Sequence, residues 1–257
     1  MRAKSLPGAA DRIFSRAEAL RILLTRPEPD ASETAARLQA GGHEVIVAPL
    51  LTIAIAPPPS DPPDPKAIIL TSRNGVRALA TWPQASGWHD LPVFATGVAT
   101  ARSAREAGFT DVRTAASDAA GLADHLMAHI DKDVRPILYP AARDRTGALT
   151  EGLRAGGYDV RTIEAYSAEM ARTLGAAAMD AVRRKEIEGV LLYSNRTAEA
   201  FRAIVDRYDL SEHLQMTVLY ALSDRVAEPL RGLPGWLRVA PHPDEDSLLA
   251  LLPKGRG

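Results

Sequence analysis

Cysteine is absent from these 257 residues, which removes disulfides, thiolate zinc sites and cysteine nucleophiles from consideration at once. A cysteine-free chain also fits a cytoplasmic protein. Aromatic side chains make up only 5%, too few to expect an aromatic cage around a ligand. Neither sign of charge prevails. The 31 Lys and Arg against 32 Asp and Glu leave a net charge of −1, so composition offers no case for nucleic acid or for an anionic membrane surface. Long apolar runs are missing as well. The most apolar stretch, Val45 to Ala56, is too short to span a bilayer and contains Pro49. Residues 1–19 carry basic and small side chains without a continuous apolar segment, which argues against a secretory signal and reads as a disordered extension.

What is present is a repeat. Leu38-Gln-Ala-Gly-Gly-His-Glu-Val45 returns as Leu153-Arg-Ala-Gly-Gly-Tyr-Asp-Val160, and Leu70-Thr-Ser-Arg-Asn74 returns as Leu192-Tyr-Ser-Asn-Arg196. Phe94-Ala-Thr-Gly97 has a weaker echo in Tyr220-Ala-Leu-Ser223. Three segments recurring in one order, at long and similar spacing, are not a solenoid. They imply two similar domains, a number that the length allows, and two such domains commonly enclose a cleft.

Each copy reads as alternating strands and helices. Arg21 to Arg26 is a short apolar run closed by a polar pair and Pro27, a buried strand and its loop. Ala31 to Ala40 has helical spacing, Gly41-Gly42 supplies the stop, and Glu44 to Val47 is the next strand. The same unit returns as Ile137 to Tyr139, Thr146 to Ala155, Gly156-Gly157 and Tyr158 to Ile163. Further strand–helix units are Ala67 to Ala80 and Pro92 to Ala107, with partners Gly189 to Val205 and Thr217 to Leu230. The fold class expected is α/β, with parallel sheets flanked by helices. The run Pro57 to Pro65 can be neither helix nor central strand. Together with a second crossing over Thr162 to Met170, it suggests that the middle of the chain is one domain and that the two ends combine into the other.

Six strands end in small or hydroxyl-bearing loops: Thr25-Arg26, Thr71-Ser72-Arg73-Asn74, Thr96-Gly97-Val98-Ala99-Thr100, Pro140-Ala-Ala-Arg143, Ser194-Asn195-Arg196-Thr197 and Ser223-Asp224-Arg225. In a parallel sheet they share the carboxyl edge, where ligands bind. They also start helices, whose unpaired N–H groups suit carboxylates and phosphates. Five contain an Arg, which can grip a carboxylate with two hydrogen bonds. The candidate ligand-binding set is therefore Thr25, Arg26, Ser72, Arg73, Asn74, Gly97, Thr100, Arg143, Ser194, Asn195, Arg196, Ser223 and Arg225, and the ligand class is polyanionic. A Ser, Thr or Asn before a helix is also an ordinary cap that needs no ligand, so the weight lies in the coincidence of six loops. Nucleotide fingerprints are missing: neither Gly-x-Gly-x-x-Gly nor Gly-x-x-x-x-Gly-Lys-Ser/Thr occurs. His125 and His129 have the spacing of a helical metal pair but no HExxH glutamate, and an exposed helix face explains them better. Asp244-Glu245-Asp246 reads as an acidic start to the last helix.

Taken together, these segments resemble the uroporphyrinogen-III synthase family from about Arg21 to Leu252. The carriers are Leu24-Thr25-Arg26-Pro27, Gly-Gly-His-Glu-Val45, Pro49-Leu50, Leu70-Thr71-Ser72 and Gly97-Val98-Ala99-Thr100-Ala101. They continue with Gly156-Gly157-Tyr158-Asp159-Val160, Tyr166, Tyr193-Ser194-Asn195 and Ser223-Asp224-Arg225-Val226-Ala227. In the family's later loop, Ser223 and Val226 replace a Gly and a residue of a Thr-Ala pair, so Ser223 would supply that loop's hydroxyl. The resemblance implies two α/β domains joined by a two-stranded connector with the active site in the cleft between them. Their expected extents are residues 20–52 plus 168–257 for the first and 56–164 for the second. It implies a lyase that cyclises hydroxymethylbilane, a linear tetrapyrrole with eight carboxylates, losing water and inverting the last pyrrole ring through a spiro intermediate. No cofactor and no metal are implied. Tyr166 matches the family's cleft tyrosine, a candidate proton donor to the leaving hydroxyl; a packing tyrosine is the competing reading. The expectation is a cytoplasmic monomer without nucleic-acid or membrane partners that meets the preceding enzyme of its pathway only transiently. A non-catalytic tetrapyrrole-binding or regulatory protein of the same fold is the alternative.

Overall fold

A computed structural model describes residues 19–115 and 119–253; the extension expected over residues 1–19 lies, Ala19 apart, outside the described residues. From there the chain runs through β1 (Arg21–Leu24), α1 (Asp30–Ala40), β2 (Glu44–Val47), β3 (Leu51–Ile55), β4 (Ala67–Leu70), α2 (Arg73–Ala80), β5 (Val93–Thr96), α3 (Gly97–Glu106), β6 (Val112–Ala115) and α4 (Ala119–His129). It continues with β7 (Ile137–Ala142), α5 (Ala148–Ala155), β8 (Val160–Met170), α6 (Ala176–Arg183), β9 (Gly189–Leu192), α7 (Asn195–Arg207), β10 (Val218–Ala221), α8 (Asp224–Ala227), β11 (Trp236–Val239) and α9 (Glu245–Leu249). No helix among the described residues is long and apolar enough to cross a membrane.

The chain divides into two units. One takes everything up to Thr52 and from Glu169 on; the other takes Ile53–Ala168. The first has a wholly parallel sheet in the order β11-β10-β9-β1-β2. The second has the order β3-β8-β7-β4-β5-β6, parallel from β8 to β6. Both changes of unit fall inside strands, in β3 and β8, which are neighbours. Ala56 N donates to Ala165 O at 2.9 Å and Ala171 N donates to Leu50 O at 3.0 Å, so one strand advances as the other recedes and the pair is antiparallel.

The repeat in the sequence is a repeat of topology. The parallel strands read β2-β1-β9-β10-β11 in one unit and β8-β7-β4-β5-β6 in the other, the same doubly wound order with different starting points. Leu38–Val45 leads from α1 into β2, and Leu153–Val160 leads from α5 into β8; Leu70 and Leu192 close β4 and β9. The second glycine of each Gly-Gly pair takes the left-handed conformation that stops the helix, φ 84° at Gly42 and 88° at Gly157.

The central strands are apolar throughout because helices cover both faces. Ala67–Leu70, Gly189–Leu192 and Val218–Ala221 are entirely buried. Alternate residues feed opposite layers. Leu23 packs with α6 and α7 residues such as Val182 and Phe201, while Ile22 and Leu24 pack with Ala31, Leu38 and Leu248. In the second unit Ile69 meets Leu126 and Leu153, and Ile68 and Leu70 meet Val76, Leu79 and Tyr166. Each fully buried Leu or Ile contributes about 1.5–3 kcal/mol.

Some expected boundaries move. The strand expected over Ile137 to Tyr139 extends to Ala142, α5 begins at Ala148 rather than Thr146, and the strand expected to end at Ile163 runs to Met170. The last difference has a plain cause: β8 pairs first with β7 and then with β3, which the apolar pattern of β8 alone does not reveal. His129 is exposed as expected, but His125 is half-buried, edge-on to Phe94 with ring centroids 6.1 Å apart. No group of three or more potential metal ligands occurs among the described residues.

Candidate functional site

In a doubly wound sheet, a crevice opens at the carboxyl edge where two neighbouring strands send their chains to opposite sides. That point lies between β1 and β9 in the first unit and between β7 and β4 in the second. The structure places Thr25, Arg26, Ser194, Asn195 and Arg196 beside the first, and Ser72, Arg73, Asn74 and Arg143 beside the second. Gly97 and Thr100 lie one strand further out, after β5, and Ser223 and Arg225 after β10. The two crevices are built on equivalent strands and are filled differently.

In the second unit Ser72 has extended backbone and caps α2, its Oγ accepting from Gly75 N at 3.1 Å. The same Oγ lies 2.7 Å from the phenolic oxygen of Tyr166. Tyr166 reaches that position through a bulge. Along the β7–β8 ladder Ala141 pairs with Glu164 and Ala142 with Tyr166, leaving Ala165 as the extra residue. A bulge interrupts the two-residue alternation and re-aims the side chain beyond it. Arg143 N donates to Tyr166 O at 2.8 Å, and Thr71 Oγ1 lies 3.1 Å from Tyr139 Oη. The Arg143 side chain forms a 2.8 Å pair with Glu164, at 59% and 42% exposure. Such a surface pair contributes at most about 1 kcal/mol. Asn74 Oδ1 accepts from Arg77 at 2.9 Å, and Arg73 is half-buried.

The first unit's crevice is closed by the chain's own charges. Arg26 is 6% exposed and ion-paired with Asp30 at 3.3 Å and Glu245 at 2.6 Å. Its guanidinium carbon also lies 4.2 Å from the centroid of the Tyr193 ring, a cation–π contact. Burial, then the nearby Glu245 carboxylate, pushes the Tyr193 phenol well above its ordinary range, so it acts as a neutral donor to Glu245 at 3.2 Å. Thr25 is fully buried and donates to Leu191 O at 2.6 Å. Ser194 caps α7 through Thr197 N at 3.1 Å, and its hydroxyl is 2.7 Å from that of Thr197. Asn195 donates to Glu199 at 2.6 Å, and Arg196 is half-buried. Of the five loop arginines, Arg26 is the one paired inside the unit with Asp30 and Glu245. Its Asp30 partner is local, but Glu245 lies far along the chain, and only tertiary folding reveals it.

The outer loops differ again. Gly97 holds φ 73° at the start of α3, with open space where a Cβ would stand. Thr100 is buried. Thr96, outside the candidate set, carries a buried hydroxyl with no hydrogen-bond partner among the described residues; its place as the last residue of a strand before Gly97 was the available signal. Ser223 begins α8 without a capping bond from its side chain, and Arg225 is exposed. A pocket lined by Ile46–Pro49 and Gly175–Ala178 has no ionisable side chain and no candidate residue in its lining. Among the candidate loops, the edge bearing Ser72 and Tyr166 brings two hydroxyls into contact beside Arg143.

Residues 32–250 match the family model described as uroporphyrinogen-III synthase HemD. The fold is similar to the crystal structure of uroporphyrinogen-III synthetase from Helicobacter pylori, at 18% identity and TM-score 0.61, covering 90% of this chain and 97% of that one. It is also similar to a mutant uroporphyrinogen III synthase from the extremely thermophilic bacterium Thermus thermophilus, at 18% identity and TM-score 0.56, covering 90% and 96%. No curated protein matches the chain at a significant level. Because the family model spans most of the chain, this protein belongs to the uroporphyrinogen-III synthase family.

Proposed function

We propose that the chain is a lyase that closes hydroxymethylbilane into uroporphyrinogen III, with loss of water and inversion of the last pyrrole ring through a spiro intermediate. Membership of the family supports the reaction class. The observation that carries the chemical reading is the 2.7 Å contact between Ser72 Oγ and Tyr166 Oη at the carboxyl edge of the second unit. In the reaction, the bond between the terminal methylene carbon and its hydroxyl breaks. The pyrrole lone pair supplies electrons to that carbon, the oxygen leaves as water with a proton from the Tyr166 phenol, and the proton released from the free α-carbon of the last pyrrole ring as the macrocycle closes restores the phenol. General acid catalysis of this kind contributes about 10²–10⁴-fold.

The substrate can cyclise unaided to the uninverted isomer, so the protein's larger task is to hold a conformation that favours the spiro route. Strand-end N–H groups, hydroxyls and Arg side chains suit that task, because they bind carboxylates without reacting. Arg73 and Arg143 hold the substrate in this reading, while Tyr166 touches the departing oxygen. A turnover assay on hydroxymethylbilane that separates the two ring isomers tests the proposal. Formation of the inverted isomer supports it; binding of the tetrapyrrole with no increase over spontaneous cyclisation would instead make the chain a non-catalytic tetrapyrrole binder.

A further inference from the structure

We propose that the carboxyl edge of β1 in the first unit is a carboxylate-binding site that the chain's own Glu245 keeps occupied. Four donors from three parts of the fold converge on this one side chain. Glu245 Oε1 accepts from Arg26 at 2.6 Å, from Thr34 Oγ1 at 2.5 Å and from Tyr193 Oη at 3.2 Å, and Oε2 accepts from Arg37 at 3.0 Å. Two guanidinium groups, a hydroxyl and a phenol around two oxygens make a complete carboxylate shell.

Two of the donors, Arg26 and Thr34, are built into the body of the unit, whereas Arg37 is 43% exposed and also pairs with Asp246. Arg26 is 6% exposed and Thr34 is fully buried, and both stand at or beside the crevice of a doubly wound sheet, the usual position for an anionic ligand. The acceptor comes from α9, a five-residue helix near the end of the chain, tied to the sheet beneath by Leu248. Asp30, 3.3 Å from Arg26, is a second carboxylate beside the same guanidinium and belongs to α1 rather than to α9. The arrangement is that of a rigid receptor holding a tethered ligand. The same four donors serve Glu245 or a carboxylate from solution, never both. Truncating Glu245 to Ala removes the equivalent of one acetate ion, so the ligand class is a small monocarboxylate.

The test is chemical rescue of Glu245→Ala in the full chain. Its unfolding midpoint is measured in sodium acetate and in sodium chloride of equal ionic strength. Acetate at about ten times its dissociation constant shifts the folding equilibrium about tenfold, a rise of roughly 3–5 °C in Tm. The rise should saturate, be absent in the wild type, whose site is filled, and be lost with the bulkier pivalate. If Glu245→Ala does not fold in chloride, folding restored by acetate supports the proposal as strongly. If it folds in neither salt, Glu245→Ser, which also vacates the four donors, is titrated with acetate in its place. A response to acetate no greater than to chloride in the variant that folds overturns the proposal, and so does an equal acetate response in the wild type.

Discussion

Tyr166 is 7% exposed and packs in the same apolar layer as Leu79 and Trp82, so both the packing and the chemical reading have a physical basis. They separate in Tyr166→Phe, which keeps the ring and removes the hydroxyl. The stability change should be about 1 kcal/mol, the net contribution of one hydrogen bond, while turnover falls by about 10²-fold. Wild-type turnover and isomer ratio in this variant would leave Tyr166 as a packing residue. A second residue gives a pH prediction. His43 is buried, and its Nδ1 accepts from Leu20 N at 3.2 Å, so the folded protein needs the neutral ring. Burial lowers its pKa from the usual 6.5. The unfolded chain therefore takes up a proton first as pH falls, and the stability that His43 contributes is present above about 6.5 and lost below it, down through the folded value. Stability against denaturant should fall less between pH 7 and pH 5 in His43→Asn, which keeps an acceptor but does not titrate. An equal fall in variant and wild type would remove His43 from the account.

Among the elements, the two serine-capped helices give a controlled comparison. Ser72 and Ser194 occupy equivalent positions, and each accepts from the N–H three residues on at 3.1 Å. Loss of either cap in a Ser→Ala variant should cost about 1 kcal/mol. The hydroxyls differ in their other partner, which is Tyr166 for Ser72 and Thr197 for Ser194. Ser72→Ala should therefore lose more turnover than Ser194→Ala for a similar loss of stability, and equal losses of turnover would break the link between Ser72 and the chemistry. This contrast also marks what a reader of the sequence can recover. Ser72 and Ser194 announce themselves because a cap is a local device: an extended residue, a short polar side chain and a helix after it. The Gly-Gly stops are legible for the same reason, since Gly42 and Gly157 need positive φ whatever packs around them. The bulge at Ala165 is not legible, because it exists only as a mismatch between β8 and β7. Nor is the partnership of Arg26 with Glu245, whose residues approach only after the sheet has assembled. Local chemistry shows in the chain, and pairings between distant segments do not.

At the scale of the whole molecule, the repeat Leu38–Val45 and Leu153–Val160 is legible as a duplication, but the different entry point into each sheet emerges only from strand order. That order has a consequence for folding. The second unit is one continuous stretch, Ile53–Ala168, and it has a buried layer on each face of its sheet, around Phe94 and Leu122 on one side and Leu70 and Leu79 on the other. A continuous segment with its own core can fold alone, so the fragment 53–168 should give a cooperative unfolding transition and dispersed amide resonances. The first unit comes from both ends of the chain, with β9 and α7 far in sequence from β1, and neither end completes the sheet. The ends nonetheless meet: Leu50 O accepts from Ala171 N at 3.0 Å in an antiparallel pair. Replacing residues 53–168 with a two-residue Asn-Gly turn should therefore convert the strand ends into a hairpin, and the shortened chain should fold with β1, β2, β9, β10 and β11 in one sheet. Circular dichroism and thermal unfolding of the two proteins check this directly. If the fragment 53–168 stays unfolded while the full chain is stable, the two units are interdependent and the duplication has lost its autonomy.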